Sequence, residues 1–378
     1  MTRIMLRRLT LAMLAVTVLT ASPITPATAD ATDDAAAWLN SLGLKYRNKP
    51  WNREAVTKAR RVDLARARKP VDPADMRHLV ALPRLTQLGL SRSKFGDDHL
   101  AAAAKLTRLQ SLNIGQAKLS SDGFGAIREL KNLRSLNMFS TNLDGEALIH
   151  LTVLTRLRDL NLNSTNVGDE GMKHVSTLRG LTSLSLSSAK GLTRAGVASI
   201  AKLPNLTSLN FQFVKLNEEM GELAASPKLW NLTVMRSSLD DKGAAELAKI
   251  KTLRWLFVWH TAITDKGVAQ LATLPRLETI YVSGTKVTDN GMRALAKVRT
   301  LKSLWIDRTA VGDSGVRHFV NHPTLRWIKA DESQLTDASI ASFIKMPALQ
   351  SLNLRKTKVT RGGVDELKAA RPKMRVSF

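Results

Sequence analysis

From Leu82 onward, apolar and polar positions follow one phrase that returns at a spacing near 24 residues. Leu130-Lys-Asn-Leu133-Arg-Ser-Leu136-Asn-Met138 is answered by Leu154-Thr-Arg-Leu157-Arg-Asp-Leu160-Asn-Leu162. The phrase returns at Leu274-Pro-Arg-Leu277-Glu-Thr-Ile280-Tyr-Val282 and at Met346-Pro-Ala-Leu349-Gln-Ser-Leu352-Asn-Leu354. Units start at 82, 106, 130, 154, 178, 203, 226, 250, 274, 298, 322 and 346; a degenerate unit covers 56–81, with Val62 and Leu64 in the strand positions. Alternation of apolar and polar residues has period two, which predicts a short strand with one buried face. The second half of each unit predicts a short helix. Thr264-Asp265-Lys266-Gly267-Val268 and Thr288-Asp289-Asn290-Gly291-Met292 put a capping threonine before the helix and a carboxylate at its positive end. Leu295 and Ala296 fall on the buried face of such a helix. Pro83, Pro204, Pro227, Pro275, Pro323 and Pro347 stop the helix and open the next strand.

No single unit can bury its own leucines, so stacking must supply the core. The predicted fold is an α/β solenoid, curved, with a parallel sheet on the concave face and short helices on the convex one. Each end of such a stack needs a cover. Residues 30–55, with Trp38, Leu39, Leu42, Leu44 and Trp51, are read as the N-terminal cap, and 56–369 as an array of about 13 repeats. Residues 370–378 are read as a C-terminal cap strand; Met374 and Val376, with Phe378 as a further candidate, cover the last leucines.

These phrases resemble the leucine-rich-repeat family, in the subtype whose units read LxxLxLxx(C/T)xxhTDxGhxxLA, with h apolar. The resemblance spans most of the chain. Thr or Ser often stands where that subtype has Cys. No F-box precedes the array, so the ubiquitin-ligase adaptor role of some relatives does not carry over. What the resemblance implies is a constant frame that reads its partners with variable side chains on the concave face.

Those side chains form three outward columns. In the N-terminal half they are mainly Ser, Asn and Gln. In the C-terminal half Met235, Trp255, Phe257, Trp259, Tyr281, Trp305 and Trp327 face outward on five successive strands. Contiguous exposed aromatics mark interaction surfaces; alternatively, neighbours stack as cross-strand pairs and stiffen the sheet. His260, Asp307, Lys329 and Asp331 stand among them and complete the candidate ligand-binding set. Asp307 and Asp331 occupy equivalent positions on adjacent strands. Such a pair can act as acid and base, hold a cation or receive a basic group. The other reading is an ion-pair ladder, Asp331 with Arg355 and Glu332 with Arg308 and Lys356. No H-E-x-x-H, G-x-S-x-G, phosphate-binding glycine loop or EF-hand loop occurs. The recurring Asp-x-Gly offers one carboxylate per unit, short of the six to eight oxygens of a calcium site. No catalytic residue, metal or cofactor is expected.

Composition adds a location and a charge. Arg3, Arg7 and Arg8, the apolar run Leu9–Leu19 and Ala27-Thr28-Ala29 read as a secretory leader over 1–29, cleaved after Ala29. The run is too short to cross a bilayer, which needs roughly 20 residues, and stable membrane insertion is not expected. There is no cysteine, which excludes disulfides and thiolate chemistry and, by resemblance, favours a bacterial exported protein of periplasm or medium. The net charge is +25, concentrated at the two ends: Lys45–Lys69 and Arg355–Phe378 are both strongly basic. The leading expectation is an exported, non-enzymatic scaffold for a protein or peptide. The alternative is attachment to an anionic envelope polymer or glycan through the basic ends. No nucleic-acid partner is expected.

Overall fold

The computed structural model describes residues 28–92 and 94–378. Nearly all of the leader read from the sequence lies outside the described residues; its last two residues cap and begin a helix, Ala29–Ser41. Fourteen three-residue strands, from Arg61–Asp63 to Arg375–Ser377, form one parallel sheet in chain order. Register follows the repeat: Gln87 pairs with Ser111 and Ser111 with Ser135, so each side chain stands beside its counterpart one unit away. Parallel neighbours need a crossover, and the helical half of each unit supplies it. Glu146–Leu151 and Glu218–Ala225, whose units lack the Thr-Asp-x-Gly phrase, wind as 3-10 helices. A helix is about 10 Å wide and strands lie about 4.8 Å apart, so any curvature of the stack places the sheet on its inner side.

The inward leucines of all units merge into one cluster running from Ala35 to Met374. Trp38 and Trp51 are buried in it at one end. At the other end Met374 is buried and Val376 packs on the cluster, whereas Phe378 is 51% exposed and is not part of the cluster.

Two hydrogen-bond ladders lock the units together, and a third braces each unit from within. Just past the third outward column the chain turns through the left-handed region at Arg236, His260, Arg308, Glu332 and Lys356, and at their counterparts in earlier units. That conformation costs an ordinary residue about 1 kcal/mol or more. It is held because the turn amides from Arg236 to Glu332 donate to the next unit, as in His260 N–H to Ser283 O (2.8 Å) and Arg308 N–H to Asp331 O (2.9 Å). Thr261, Thr285 and Thr309, at the position where related repeats have Cys, donate their buried hydroxyls to the carbonyl three residues back, at 2.6–2.7 Å. On the helical face the threonine cap is present: Thr264 Oγ1 accepts from Lys266 N–H. The aspartate beside it reaches further. Asp265 accepts from both the amide (2.8 Å) and the hydroxyl (2.6 Å) of Thr288 in the next unit.

A single imidazole closes one inter-strand turn. The ring of His322 is buried; its Nδ1 faces the amides of Thr324 and Leu325, and Nε2 lies 3.1 Å from Val298 O. Two donors at Nδ1 fix the neutral tautomer that donates from Nε2. Burial, reinforced by Arg299, holds the pKa of His322 below its ordinary value. The unfolded chain therefore takes up this proton first as pH falls below about 6.5. The contribution of His322 to stability is complete above that pH and lost as pH falls through the lower folded value. Urea unfolding at pH 8 and pH 5 is expected to show this loss, and His322→Gln to reduce the difference between the two pH values. An undiminished difference in the variant would assign the pH dependence elsewhere.

Candidate functional site

The strands Trp255–Phe257, Thr279–Tyr281, Ser303–Trp305 and Trp327–Lys329 are consecutive and in register. Their alternation turns Leu256, Ile280, Leu304 and Ile328 into the core and leaves the flanking positions outward. Phe257, Tyr281, Trp305 and Lys329 thus form one column. Phe257 meets Tyr281 edge-on (4.5 Å, 87°), Tyr281 stacks flat on Trp305 (3.7 Å, 10°), and the Lys329 ammonium lies 4.8 Å from the Trp305 ring centre. Burial raises the Tyr281 phenol pKa, with a smaller push from Asp307. Trp255 and Trp327 stand in the first column and are 41% and 43% exposed. Tyr281, Ser303, Trp305, Trp327, Lys329, Ser351 and Asn353 line a shallow hollow of about 310 Å³.

In the third column Met235 and Trp259 are half-buried. The Trp259 ring lies 5.8 Å from His260, and its indole N–H is buried without an acceptor among the described residues. His260, also half-buried, fills the space a side chain at Gly284 would need: a Cβ there would come 2.4 Å from Nδ1. Trp230, absent from the sequence-based set, packs edge-on against Trp255 at 4.9 Å. It stands one residue before its strand, outside the alternation that reveals the columns. Phe213 is 45% exposed with the Arg236 guanidinium 5.6 Å from its ring; it too lies beyond the three columns, at a left-handed turn.

The geometry is that of a repeat stack with a regular frame and an irregular outer face, and the family described as a leucine-rich repeat region matches residues 126–370. The chain belongs to the leucine-rich-repeat family. Among solved structures, the leucine-rich-repeat fold is shared with an internalin (inlF) of Listeria monocytogenes: TM-score 0.62 and 21% identity over 92% of this chain and 94% of that one. TLR13, solved as a complex with ssRNA13, aligns at TM-score 0.56 and 15% identity over 81% of this chain and 54% of its own. At these identities the likeness concerns the fold. No curated protein matches the chain in sequence.

The carboxylates on this leucine-rich-repeat face are engaged in holding it. Asp307 is only 7% exposed; it accepts from Ser283 Oγ (2.8 Å) and the Asp331 amide (3.2 Å), and Lys329 Nζ lies 3.4 Å away. Asp331 accepts the Arg355 amide at 2.9 Å and stands 3.8 Å from the same Lys329. The side-chain partner of the pair is therefore Lys329, between them in the adjoining column, while Arg355 contributes backbone. The outer ladder forms as the spacing predicts: Glu332 pairs with Arg308 through two bonds of 3.1 Å and with Lys356 at 3.4 Å. The Arg308 hydrogen bonds hold the Glu332 pKa below the usual carboxylate range. Among the described residues no group of three or more His, Asp or Glu is placed to hold a metal ion, and no helix is long and apolar enough to cross a membrane.

Proposed function

We propose that this leucine-rich-repeat protein is an exported, non-enzymatic scaffold that binds a protein or peptide on the sheet face between Met235 and Asp331. The observation that carries the reading is a run of aromatics across four adjacent strands, already stacked, with Trp255 and Trp327 more than 40% exposed at its ends. Rings fixed by one another lose little freedom when a partner covers them. The family at large supports the reading, since its members are in general binding scaffolds. Charge favours a polypeptide over a polyanion here: Arg308, Lys329 and Lys356 are matched by Asp307, Asp331 and Glu332. Export rests on the basic and apolar pattern of residues 1–29.

Immobilised protein challenged with a peptide library tests the binding. Affinity for selected peptides is expected to survive a rise to about 0.5 M salt, because apolar burial is not screened. Trp327→Ala is expected to weaken it about tenfold, as truncation of an interfacial tryptophan commonly does. Single-stranded RNA should not compete. Peptide capture unaffected by combining Trp255→Ala with Trp327→Ala would sink the assignment of this face.

A further inference from the structure

At the other end of the sheet, Tyr46 and Lys49 pair across a tight hairpin through bonds of 2.9 and 3.0 Å. Its two central residues, Arg47 (φ 50°) and Asn48 (φ 66°), are both left-handed. Glycine and asparagine suit such a turn; arginine does not, yet Arg47 stands there with its guanidinium 5.4 Å from the Tyr46 ring centre. The hairpin faces the first strand, Arg61–Asp63, across a hollow of about 460 Å³. Lys45, Arg47, Arg61, Arg66 and Arg68 line it, with Asp63 as its one carboxylate. Asp63 is taken by Arg66 (3.2 Å) and Arg61 (3.7 Å). Lys45, Arg47 and Arg68 have no carboxylate within ion-pair distance among the described residues. Trp51, 6% exposed, also lines the hollow, and its indole N–H is buried without an acceptor among the described residues.

We infer that this hollow is a second binding site, independent of the aromatic face, for a phosphate-type anion. Three cations lining one hollow without a carboxylate partner repel each other until an anion enters, and a multiply charged anion relieves more of that repulsion than a carboxylate. Guanidinium forks match phosphate oxygens two at a time.

Inorganic pyrophosphate, titrated calorimetrically into the full chain at about 0.15 M salt, is the probe. Saturable one-to-one binding is expected, with acetate failing to compete at the same ionic strength. Arg47→Ala combined with Arg68→Ala is expected to weaken it at least about tenfold. Arg47→Gly, which suits the left-handed turn and so preserves the fold, is expected to weaken it several-fold. Arg355→Ala with Lys356→Ala, at the far basic end, should leave it unchanged. Long-chain polyphosphate at equal phosphate concentration separates two sources of the same chemistry: tighter binding marks a polymer-borne phosphate, and equal or weaker binding a free one. Non-saturable binding, competition by acetate, or equal affinity in Arg47→Gly and the parent chain would overturn the site.

Discussion

Replacing Gly267 with alanine is expected to lower stability by about 2–3 kcal/mol, the upper part of the range for overpacking a close-fitting site. A Cβ at Gly267 would come 2.5 Å from Asp241 Oδ1 and 2.9 Å from Ile263 Cγ2. Neither neighbour is free to withdraw. Asp241 accepts from the amide and hydroxyl of Thr264 and from the Gly267 amide itself, and Ile263 is fully buried. The same contact recurs at Gly291 against Asp265 and at Gly315 against Asp289. The glycine of these units is thus a seat for the aspartate of the unit before. Urea unfolding of Gly267→Ala, Asp241→Ala and the double variant checks this, because removal of the carboxylate should make the alanine cheaper to accommodate. Equal cost in both backgrounds would mean that Ile263 alone is the obstacle.

A second loss of similar size, about 2–3 kcal/mol, is expected for Asp307→Ala. The substitution strands the Ser283 hydroxyl and the Asp331 amide without their acceptor and leaves Lys329 with the more distant Asp331 alone. Lys329 is about one-third exposed, so solvent shields part of the electrostatic loss. Asp307→Asn, which keeps an acceptor oxygen, should lose less. Because Lys329 lies against Trp305, its release should also shift the tryptophan emission. An Asp307→Ala protein as stable as the parent would show that the buried carboxylate does not hold the face together.

What could be read from the sequence depended on whether its cause was periodic. The strands, the buried leucines and the three outward columns follow from a spacing near 24 residues combined with alternation, and Trp255, Tyr281, Trp305 and Trp327 stand where that rule puts them. The left-handed turn was harder to see, since glycine marks it only at Gly284 among the units of the aromatic face; elsewhere Arg236, His260 and Arg308 adopt it under inter-unit hydrogen bonds. Asp265 looks like a local helix-end charge in sequence, because its partner Thr288 lies 23 residues away. Burial of Asp307 and the choice of Lys329 over Arg355 depend on side-chain reach between columns, which alternation does not encode. Trp230 escaped because it precedes its strand, and the basic hollow because a hairpin brings Arg47 opposite Arg61.

Because the inter-unit bonds described above reach only from one rung to the next, the molecule has no fixed midpoint and none of these contacts measures its total extent. Excising one complete rung would bring together two surfaces already shaped to fit, so such a chain can grow or shrink by whole steps while its ends and its aromatic face are kept. The distance between the aromatic face and the basic hollow is therefore adjustable in increments of one strand spacing, about 4.8 Å, without redesign of either.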